Sequence, residues 1–316
     1  MKRVLITGGC GFIGTNLAAK LLKQGDFVIA FDNLYCADKE NAKLFCDNPN
    51  YKFIQGDVRE PFDYIVADEI YHLAAPASPA VYIQDTIYTI ETIVNGTVNA
   101  LNCARRNNAR IVIASTSEIY GESLVHPQNE LYNGNVKTMC LRACYDESKR
   151  CAETYAYCYF KQYGVNVGVA RLFNTYGPYM RLKDGRVVTS FIESYLKNEP
   201  LHINGNGKQT RSFCYIDDLL NGLVAYMNSS IVGEAINLGN DTEIDINTLA
   251  SIFIDISNDN MKIEYGPSVD NEPRERRPDL KKAKELLRYN YNVPVKKGLQ
   301  MTLKYFKDRY KIKNSF

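Results

Sequence analysis

The sequence predicts an α/β protein in which a doubly wound parallel sheet is followed by a smaller C-terminal α/β domain. Over residues 1–175, short apolar runs alternate with amphipathic helical patterns. A glycine-rich segment follows the first apolar run, and an aspartate ends the second. Strands that alternate with helices form a parallel sheet covered on both faces, which is the Rossmann-type arrangement.

The sheet domain is predicted from apolar runs of strand length. These runs occupy residues 3–6, 27–31, 52–55, 69–73, 110–114 and 165–170. Between the first two runs, Ile13, Leu17 and Leu21 share one face of a helix, and Gly25 ends it. We assign residues 1–175 to this domain and expect the chain to return to the sheet once, near residues 212–238.

The second domain is predicted from residues 176–211 and 239–316. Its predicted elements are helices at 187–197, 246–256 and 280–287 and a strand with a glycine turn at 201–207. We expect this domain to cover the carboxyl edge of the sheet, where open α/β sheets bind their ligands. It is therefore the predicted substrate-binding domain.

The composition is that of an ordinary globular protein. The 316 residues are 45% hydrophobic and 23% charged, with a net charge of +2. This balance gives no reason to expect a nucleic-acid partner, and the basic residues near the C terminus are expected to form a solvated helix face. No run approaches the roughly 20 apolar residues that a membrane-spanning helix needs.

The cysteines and histidines indicate neither a metal site nor a disulfide framework. The nine cysteines include no Cys-x-x-Cys pair, and His72, His126 and His202 are scattered along the chain. Free thiols in this number are typical of a reducing compartment, and the N terminus lacks the long apolar run of a secretory signal. We therefore expect a cytoplasmic protein.

A glycine frame lies between the first predicted strand and the first predicted helix. Gly8, Gly11 and Gly14 are spaced three residues apart, with Phe12 and Ile13 in the same turn. Such glycines let the backbone approach a pyrophosphate, and the helix N-terminus stabilises the negative charge. An ordinary tight turn is the alternative, but the position within a strand-helix-strand unit favours a dinucleotide site.

The second strand predicts which dinucleotide binds. Asp32 ends that strand about 20 residues after the glycines, where a carboxylate accepts hydrogen bonds from a ribose diol. Because a 2′-phosphate would meet this negative charge, we predict NAD rather than NADP and assign residues 1–175 as the NAD-binding domain. The other predicted cofactor contacts are Asn33, Asp57, Val58, Leu73, Ala74 and Ala75.

Tyr145 and Lys149 form the predicted catalytic pair. Because they are four residues apart, they share one face of a helix. We expect the ammonium to lower the pKa of the phenol from about 10. A phenolate near neutral pH is a general base for an alcohol, which is the first need of a hydride-transferring dehydrogenase.

These features resemble the extended short-chain dehydrogenase/reductase family. The resemblance implies that Tyr145 is the catalytic base and also contacts the cofactor, that Lys149 holds the nicotinamide ribose and that Thr116 is the hydroxyl residue at a strand end. It also implies a homodimer whose contact is a four-helix bundle. The helix of Tyr145 would belong to that bundle.

Ser117 and Glu118 indicate which of the family's reactions this chain resembles most. The 4,6-dehydratases of this family place Asp-Glu after the threonine, and Ser117 cannot replace the carboxylic acid of that pair. Simple 4-epimerases usually lack a glutamate at the position of Glu118. Residues 116–121 instead resemble the UDP-glucuronate decarboxylases, and this resemblance extends along most of the chain.

That resemblance implies decarboxylation of UDP-glucuronate to UDP-xylose through a 4-keto intermediate, with NAD regenerated and no metal. Thr116 would polarise the C4 oxygen, Ser117 and Glu118 would act around C5, and Arg276 would lie near the substrate carboxylate. The implied substrate-binding residues are Pro76, Ser78, Asn174, Arg186, Val187, Arg211 and Arg276.

Two departures from the family pattern leave other reactions open. Tyr179 stands where the family usually has an arginine, and Asn133 stands where it has a tryptophan. The alternatives are an enzyme that forms a 4-keto-pentose or apiose, a 4-epimerase or a 4,6-dehydratase. A nucleotide-binding protein without turnover is a further alternative, against which Tyr145 and Lys149 argue.

Overall fold

The structure is a computed structural model that describes residues 1–267 and 275–310. Its central feature is a seven-stranded sheet in which every pair of neighbours is parallel. The strands are β1 (Arg3–Thr7), β2 (Phe27–Asp32), β3 (Tyr51–Gln55), β4 (Glu69–His72), β5 (Arg110–Thr116), β6 (Val167–Leu172) and β11 (Ala235–Leu238). Their spatial order is β11-β6-β5-β4-β1-β2-β3, which confirms the predicted fold class.

The sheet is buried on both faces, which explains why its strands read as continuous apolar runs. In β1, Val4 and Ile6 pack into one core cluster while Leu5 packs into another. Because successive side chains of a strand point to opposite faces, these two clusters lie on opposite sides of the sheet.

Helices cover both faces. The side with Leu5 is packed by α3 (Thr86–Asn107) and α4 (Ala143–Tyr163). The other side is packed by α1 (Phe12–Lys23) and α6 (Ile216–Met227). A short helix, α2 (Pro79–Tyr82), precedes α3. The helix of Tyr145 therefore lies directly against the sheet.

Among the described residues, the other strands form three small sheets, and the other α-helices are four in number. The strands are β7 (Thr175–Tyr176) paired with β10 (Cys214–Tyr215), β8 (Leu201–Asn204) paired with β13 (Ile263–Gly266), and β9 (Thr210–Ser212) between β12 (Glu243–Asp245) and β14 (Glu275–Arg276). The helices are α5 (Val187–Lys197), α7 (Ile246–Ser257), α8 (Lys281–Leu287) and α9 (Val295–Tyr310).

Strand β11 lies within the segment near residues 212–238 in which a return to the sheet was predicted, and it pairs with β6. The domain boundaries themselves stay a prediction. The prediction for the fifth strand was too short: β5 continues two residues further, to Thr116, because Ser115 and Thr116 pair with Arg171 and Leu172 of β6. In the described part of the chain, no helix is long and apolar enough to cross a membrane.

Candidate functional site

A cavity of about 550 Å³ opens at the carboxyl ends of β1, β2, β4 and β5. It brings together every residue predicted as part of the site except Asp57. The predicted residues that line it are Gly8, Gly11, Phe12, Ile13, Gly14, Asp32, Asn33, Val58, Leu73, Ala74, Ala75, Pro76, Ser78, Thr116, Ser117, Glu118, Tyr145, Lys149, Asn174, Arg186, Val187, Arg211 and Arg276.

The glycine turn at one end of the cavity requires glycine for steric reasons. Gly8 has φ +69°, and a Cβ on Gly14 would lie 2.2 Å from the carbonyl oxygen of Gly8. Helix α1 begins directly after Gly11, and no side chain caps its N-terminus. Its first N–H groups are thus available to an anion, so this turn fits a pyrophosphate.

Asp32 lies beside this turn with both carboxylate oxygens held by backbone. Oδ2 accepts a hydrogen bond from the N–H of Cys10 at 3.0 Å, and Oδ1 accepts one from the N–H of Leu34 at 2.8 Å. Burial raises the pKa of Asp32, whereas these two hydrogen bonds lower it. A carboxylate accepts more than one hydrogen bond per oxygen, so Asp32 can still accept from a ribose diol.

We expect Asp32→Ala to weaken NAD binding by about tenfold to a hundredfold, because charge-assisted hydrogen bonds to the ribose are lost. The affinity for NADP should increase relative to the affinity for NAD, since the charge that repels a 2′-phosphate is removed. Fluorescence titration of both cofactors measures the two affinities. The exposed Asp47 provides a control as Asp47→Ala. Unchanged NAD affinity in Asp32→Ala would contradict this assignment.

Asp57 does not line the cavity. Its Oδ2 accepts hydrogen bonds from Asn33 Nδ2 and Arg59 Nη2, both at 3.0 Å. Asn33 does line the cavity, and its Nδ2 also donates to the hydroxyl of Tyr88 at 2.7 Å. The structure thus places Asp57 behind Asn33, as a partner that orients the amide.

The predicted catalytic pair lies on the first turns of α4, and both residues are 5% exposed. Lys149 Nζ donates to the carbonyl oxygen of Ala114 at 2.7 Å and lies 5.9 Å from the centroid of the Tyr145 ring. Thr116 lies close enough to Tyr145 to lower the pKa of the phenol. The end of β5 therefore positions both members of the pair.

The expectation that Lys149 lowers the pKa of Tyr145 below its ordinary value was wrong. Burial raises the pKa of Tyr145 above its ordinary value and outweighs the opposing effect of Thr116. Burial also lowers the pKa of Lys149, to about 8. Desolvation disfavours the charged form of each group, and here it dominates the pair.

Three buried hydroxyl groups on the cavity wall have no hydrogen-bond partner among the described residues. They belong to Ser78, which was predicted, and to Tyr82 and Thr92, which were not. The Tyr82 ring stacks on that of Tyr145, with centroids 4.9 Å apart and planes 6° from parallel. Buried hydroxyl groups usually find partners, so all three are suited to polar groups of a ligand.

Glu118 is held between two arginines. Its Oε1 accepts from Arg276 Nη1 at 2.5 Å, and its Oε2 accepts from Arg276 Nη2 at 2.9 Å and from Arg142 Nη2 at 2.7 Å. Burial alone would raise the pKa of Glu118, but Arg276 and Arg142 lower it below its ordinary value. Sequence reasoning missed Arg142, which also lines the cavity.

Arg276 is positioned by backbone contacts as well as by Glu118. The loop that precedes α4 holds the residue next to it: Gln128 N donates to the carbonyl oxygen of Arg277 at 2.9 Å, and Arg277 N donates to Gln128 Oε1 at 2.8 Å. Asp279 N donates to the carbonyl oxygen of Gln128 at 2.7 Å. We call these three hydrogen bonds the Gln128 clamp.

Asp146, the residue after Tyr145, is a buried carboxyl group behind the cavity wall. Its Oδ1 has no hydrogen-bond partner among the described residues. Burial, and then the charge of Glu118, raise the pKa of Asp146 from 3.8 to about 7, although Arg142 and Arg276 oppose the shift.

This shift predicts a pH-dependent stability difference. Because the folded pKa lies above the unfolded value, the folded state binds the proton more tightly, and stability is lost as pH rises from about 4 to about 7. Asp146→Asn cannot titrate. We therefore expect its free energy of unfolding, relative to that of the wild type, to rise by about 2 kcal/mol from pH 5 to pH 8. Urea unfolding at both pH values measures it, with the more exposed Glu147→Gln as control. An equal Asp146→Asn difference at both pH values would contradict the shift.

The predicted substrate residues line the other end of the cavity. Arg186 is held by Asp184, whose Oδ2 accepts from Arg186 Nε at 2.7 Å. Arg211 on β9 lies beside Arg276 on β14 in the register of that small sheet. The backbone of Asn174 is fixed by the N–H of Cys214, which donates to its carbonyl oxygen at 2.9 Å.

Of the two departures noted in the sequence, only Tyr179 lines the cavity. Its ring packs on that of Tyr305 with centroids 4.9 Å apart. Asn133 does not line the cavity, and its carbonyl oxygen accepts from Arg150 Nη1 at 2.6 Å. Within residues 1–267 and 275–310, no group of three or more His, Cys, Asp or Glu side chains is arranged to hold a metal ion.

Comparisons with known proteins agree on one family. A sequence model of the NAD dependent epimerase/dehydratase family matches residues 4–239. UDP-glucuronic acid decarboxylase 1 of Danio rerio is 47% identical over 305 residues, which cover 96% of this chain and 72% of that protein. UDP-glucuronic acid decarboxylase 4 of Arabidopsis thaliana is 46% identical, with 97% and 69% covered.

Solved structures have the same fold. The crystal structure of UDP-glucuronic acid 4-epimerase from Bacillus cereus, in complex with UDP-glucuronic acid and NAD, superposes with a TM-score of 0.89. It is 28% identical, and the match covers 98% of this chain and 100% of the epimerase.

Proposed function

Because the chain belongs to the NAD dependent epimerase/dehydratase family, we propose that it decarboxylates UDP-glucuronate to UDP-xylose with NAD as a transient hydride acceptor. The observation that carries this proposal is the carboxylate of Glu118, held by Arg276 and Arg142 on the same cavity wall as Tyr145. The relatives named UDP-glucuronic acid decarboxylase, at 46–47% identity, support the same reaction.

The residues present fit NAD. The uncapped turn at Gly11 and Gly14 would receive the pyrophosphate, Asp32 the adenosine ribose, and Lys149 the nicotinamide ribose. When bound, NAD would accept the hydride from C4 of the sugar and later return it. This leaves the protein to position the sugar and to move protons.

Tyr145 would remove the proton of the C4 hydroxyl as the general base, and the positive charges of Lys149 and of bound NAD⁺ would favour the phenolate that this step requires. Thr116, which lines the same cavity, would hold the same sugar oxygen. The C4 ketone that results is β to the C6 carboxylate, so CO₂ can leave while its electron pair is delocalised into an enolate. Reprotonation at C5 and reduction at C4 then complete a redox-neutral reaction.

Glu118 and Arg276 would act at this second stage. A guanidinium stabilises a carboxylate and an enolate oxygen through paired hydrogen bonds and charge. Because the arginines lower the pKa of Glu118, this residue is a carboxylate, and it would relay the proton that C5 receives after CO₂ has left. Ser117, buried next to it, supplies a hydroxyl but no carboxylic acid, which disfavours a 4,6-dehydratase.

The proposal is tested by incubating the protein with NAD⁺ and a panel of UDP-uronic acids and UDP-hexoses. We expect CO₂ and a UDP-pentose from UDP-glucuronate, with no net accumulation of NADH. A product of unchanged mass would indicate an epimerase, and loss of water from a UDP-hexose would indicate a dehydratase. Accumulated NADH with a UDP-4-keto-pentose would indicate an enzyme that stops after decarboxylation. No turnover at high protein concentration would overturn the proposal.

We also propose that the protein is a homodimer through a four-helix bundle of α3 and α4 from each copy. These helices expose apolar and aromatic side chains on the side away from the sheet: Ile87, Ile90, Tyr155, Tyr157 and Tyr163. Light scattering should then give twice the 35.9 kDa of one chain.

The nine free cysteines support a reducing compartment, and we propose the cytoplasm.

A further inference from the structure

Arg142 lines the cavity, and in the proposed reaction its only role so far is to hold Glu118. It is the N-cap residue of α4, and its carbonyl oxygen accepts from the N–H groups of Tyr145 and Asp146 at 3.0 and 3.2 Å. Its side chain makes no capping hydrogen bond. The backbone of Arg142 therefore starts the helix, while its guanidinium reaches the cavity and Glu118.

The Arg142–Arg276 site already holds a carboxylate. Both guanidinium groups donate to Glu118, which contributes one negative charge to two positive charges. The side chains are mostly buried, with 18% of Arg142, 8% of Arg276 and 16% of Glu118 exposed. The site therefore has one positive charge in excess. This is unfavourable, because charges withdrawn from water are stable only when they are paired.

Asp146 is the other acidic group near these arginines. It lies behind the wall and does not line the cavity. Because burial raises its pKa to about 7, it balances the excess positive charge only in part near neutral pH. A second carboxylate, bound from the cavity, would neutralise the remaining positive charge of the two arginines.

We propose that Arg142 is a specificity-determining residue: with Arg276 it binds the C6 carboxylate of the sugar, in a site that Glu118 occupies when no substrate is bound. This inference rests on the proposed function. On binding, the substrate carboxylate takes the place of Glu118 on Arg142, and Glu118 stays with Arg276. Two arginines then face two carboxylates. Glu118 no longer accepts a hydrogen bond from Arg142 on the side that faces the sugar ring.

Without Arg142, two carboxylates would share one arginine, which is unfavourable by like-charge repulsion in a buried site. A neutral C6 hydroxymethyl group brings no charge and would not depend on Arg142. The residue should therefore discriminate a UDP-uronic acid from a UDP-hexose.

The test measures binding, separately from turnover. In a Tyr145→Phe background loaded with NAD, titration calorimetry compares UDP-glucuronate with UDP-glucose. Adding Arg142→Met should weaken UDP-glucuronate binding by about tenfold to a hundredfold and change UDP-glucose binding by less than about threefold. Arg142→Lys, which keeps the charge, should restore part of the lost affinity.

Arg150→Met is the matched control. Arg150 lies on the same helix outside the cavity, and its Nη1 donates to the carbonyl oxygens of Ile119 and Asn133. It should affect both sugars alike or not at all. Circular dichroism and NAD binding establish that the Arg142 variants are folded, and Arg142→Gln replaces Arg142→Met if the latter does not fold.

Equal losses for both sugars, or no loss for UDP-glucuronate, would overturn the role of Arg142. The proposed function fails separately if the wild-type protein releases no CO₂ while the selective effect of Arg142→Met on UDP-glucuronate remains. That outcome supports the carboxylate site and overturns the decarboxylation.

Discussion

Tyr145→Phe is expected to lower turnover of UDP-glucuronate by about a thousandfold, because the substitution removes the general base of the first step. The ring remains, so its packing against Tyr82 and the fold of α4 should be preserved. NAD affinity should stay within about twofold, since the predicted cofactor contacts of the glycine turn and Asp32 are unchanged. Steady-state release of CO₂ and a cofactor titration measure the two quantities.

Tyr82→Phe is the matched control for this prediction. It removes a hydroxyl group from the stacked neighbour, in the same cavity and with the same loss of one oxygen atom. We expect its effect on turnover to be at least about tenfold smaller, because a binding contact contributes less than the base. Similar losses in the two variants would contradict the assignment of the base to Tyr145.

Arg171→Met is expected to destabilise the fold by about 3–5 kcal/mol, because it leaves a buried carboxylate without its partner. Arg171 Nη2 and Nε donate to Glu153 at 2.8 and 3.0 Å, and the two side chains are only 11% and 15% exposed. Arg171 Nη1 also donates to the hydroxyl of Tyr120 at 2.9 Å. Urea unfolding measures the loss.

Two comparisons make this stability prediction specific. Arg106→Met breaks the ion pair with Asp63, whose side chains are 64% and 39% exposed, and should cost less than about 1 kcal/mol. The double variant Arg171→Met with Glu153→Leu should recover part of the loss, since no charge is left buried. A loss no larger than that of Arg106→Met would show that the buried pair does not hold β6 against α4.

Much of the site could be predicted because its signals are local. The glycine turn, Asp32 and the spacing of Tyr145 and Lys149 each lie within one strand-turn-helix segment. In such a segment the residue types determine which backbone groups and side chains face the strand ends. All of these residues line the cavity.

The rest depends on contacts between distant parts of the chain. Arg142 lies 24 residues after Glu118, and Arg276 lies 158 residues after it, so no sequence window relates all three. Tyr82 meets Tyr145 only through tertiary packing. The pKa of Tyr145 was misjudged for the same reason, because helical spacing does not report how completely a pair is withdrawn from water.

The Gln128 clamp has a consequence for how the active protein is assembled. A chain that ended before residue 239 would still contain the glycine turn, Asp32 and the tyrosine-lysine pair, all of which precede residue 150. It would lack Arg276 and the backbone groups of Arg277 and Asp279 that Gln128 engages. During synthesis, the predicted cofactor-binding residues are therefore made long before Arg276. In the proposed mechanism, decarboxylation would become possible only when the last fifth of the chain has packed against Glu118 and Gln128.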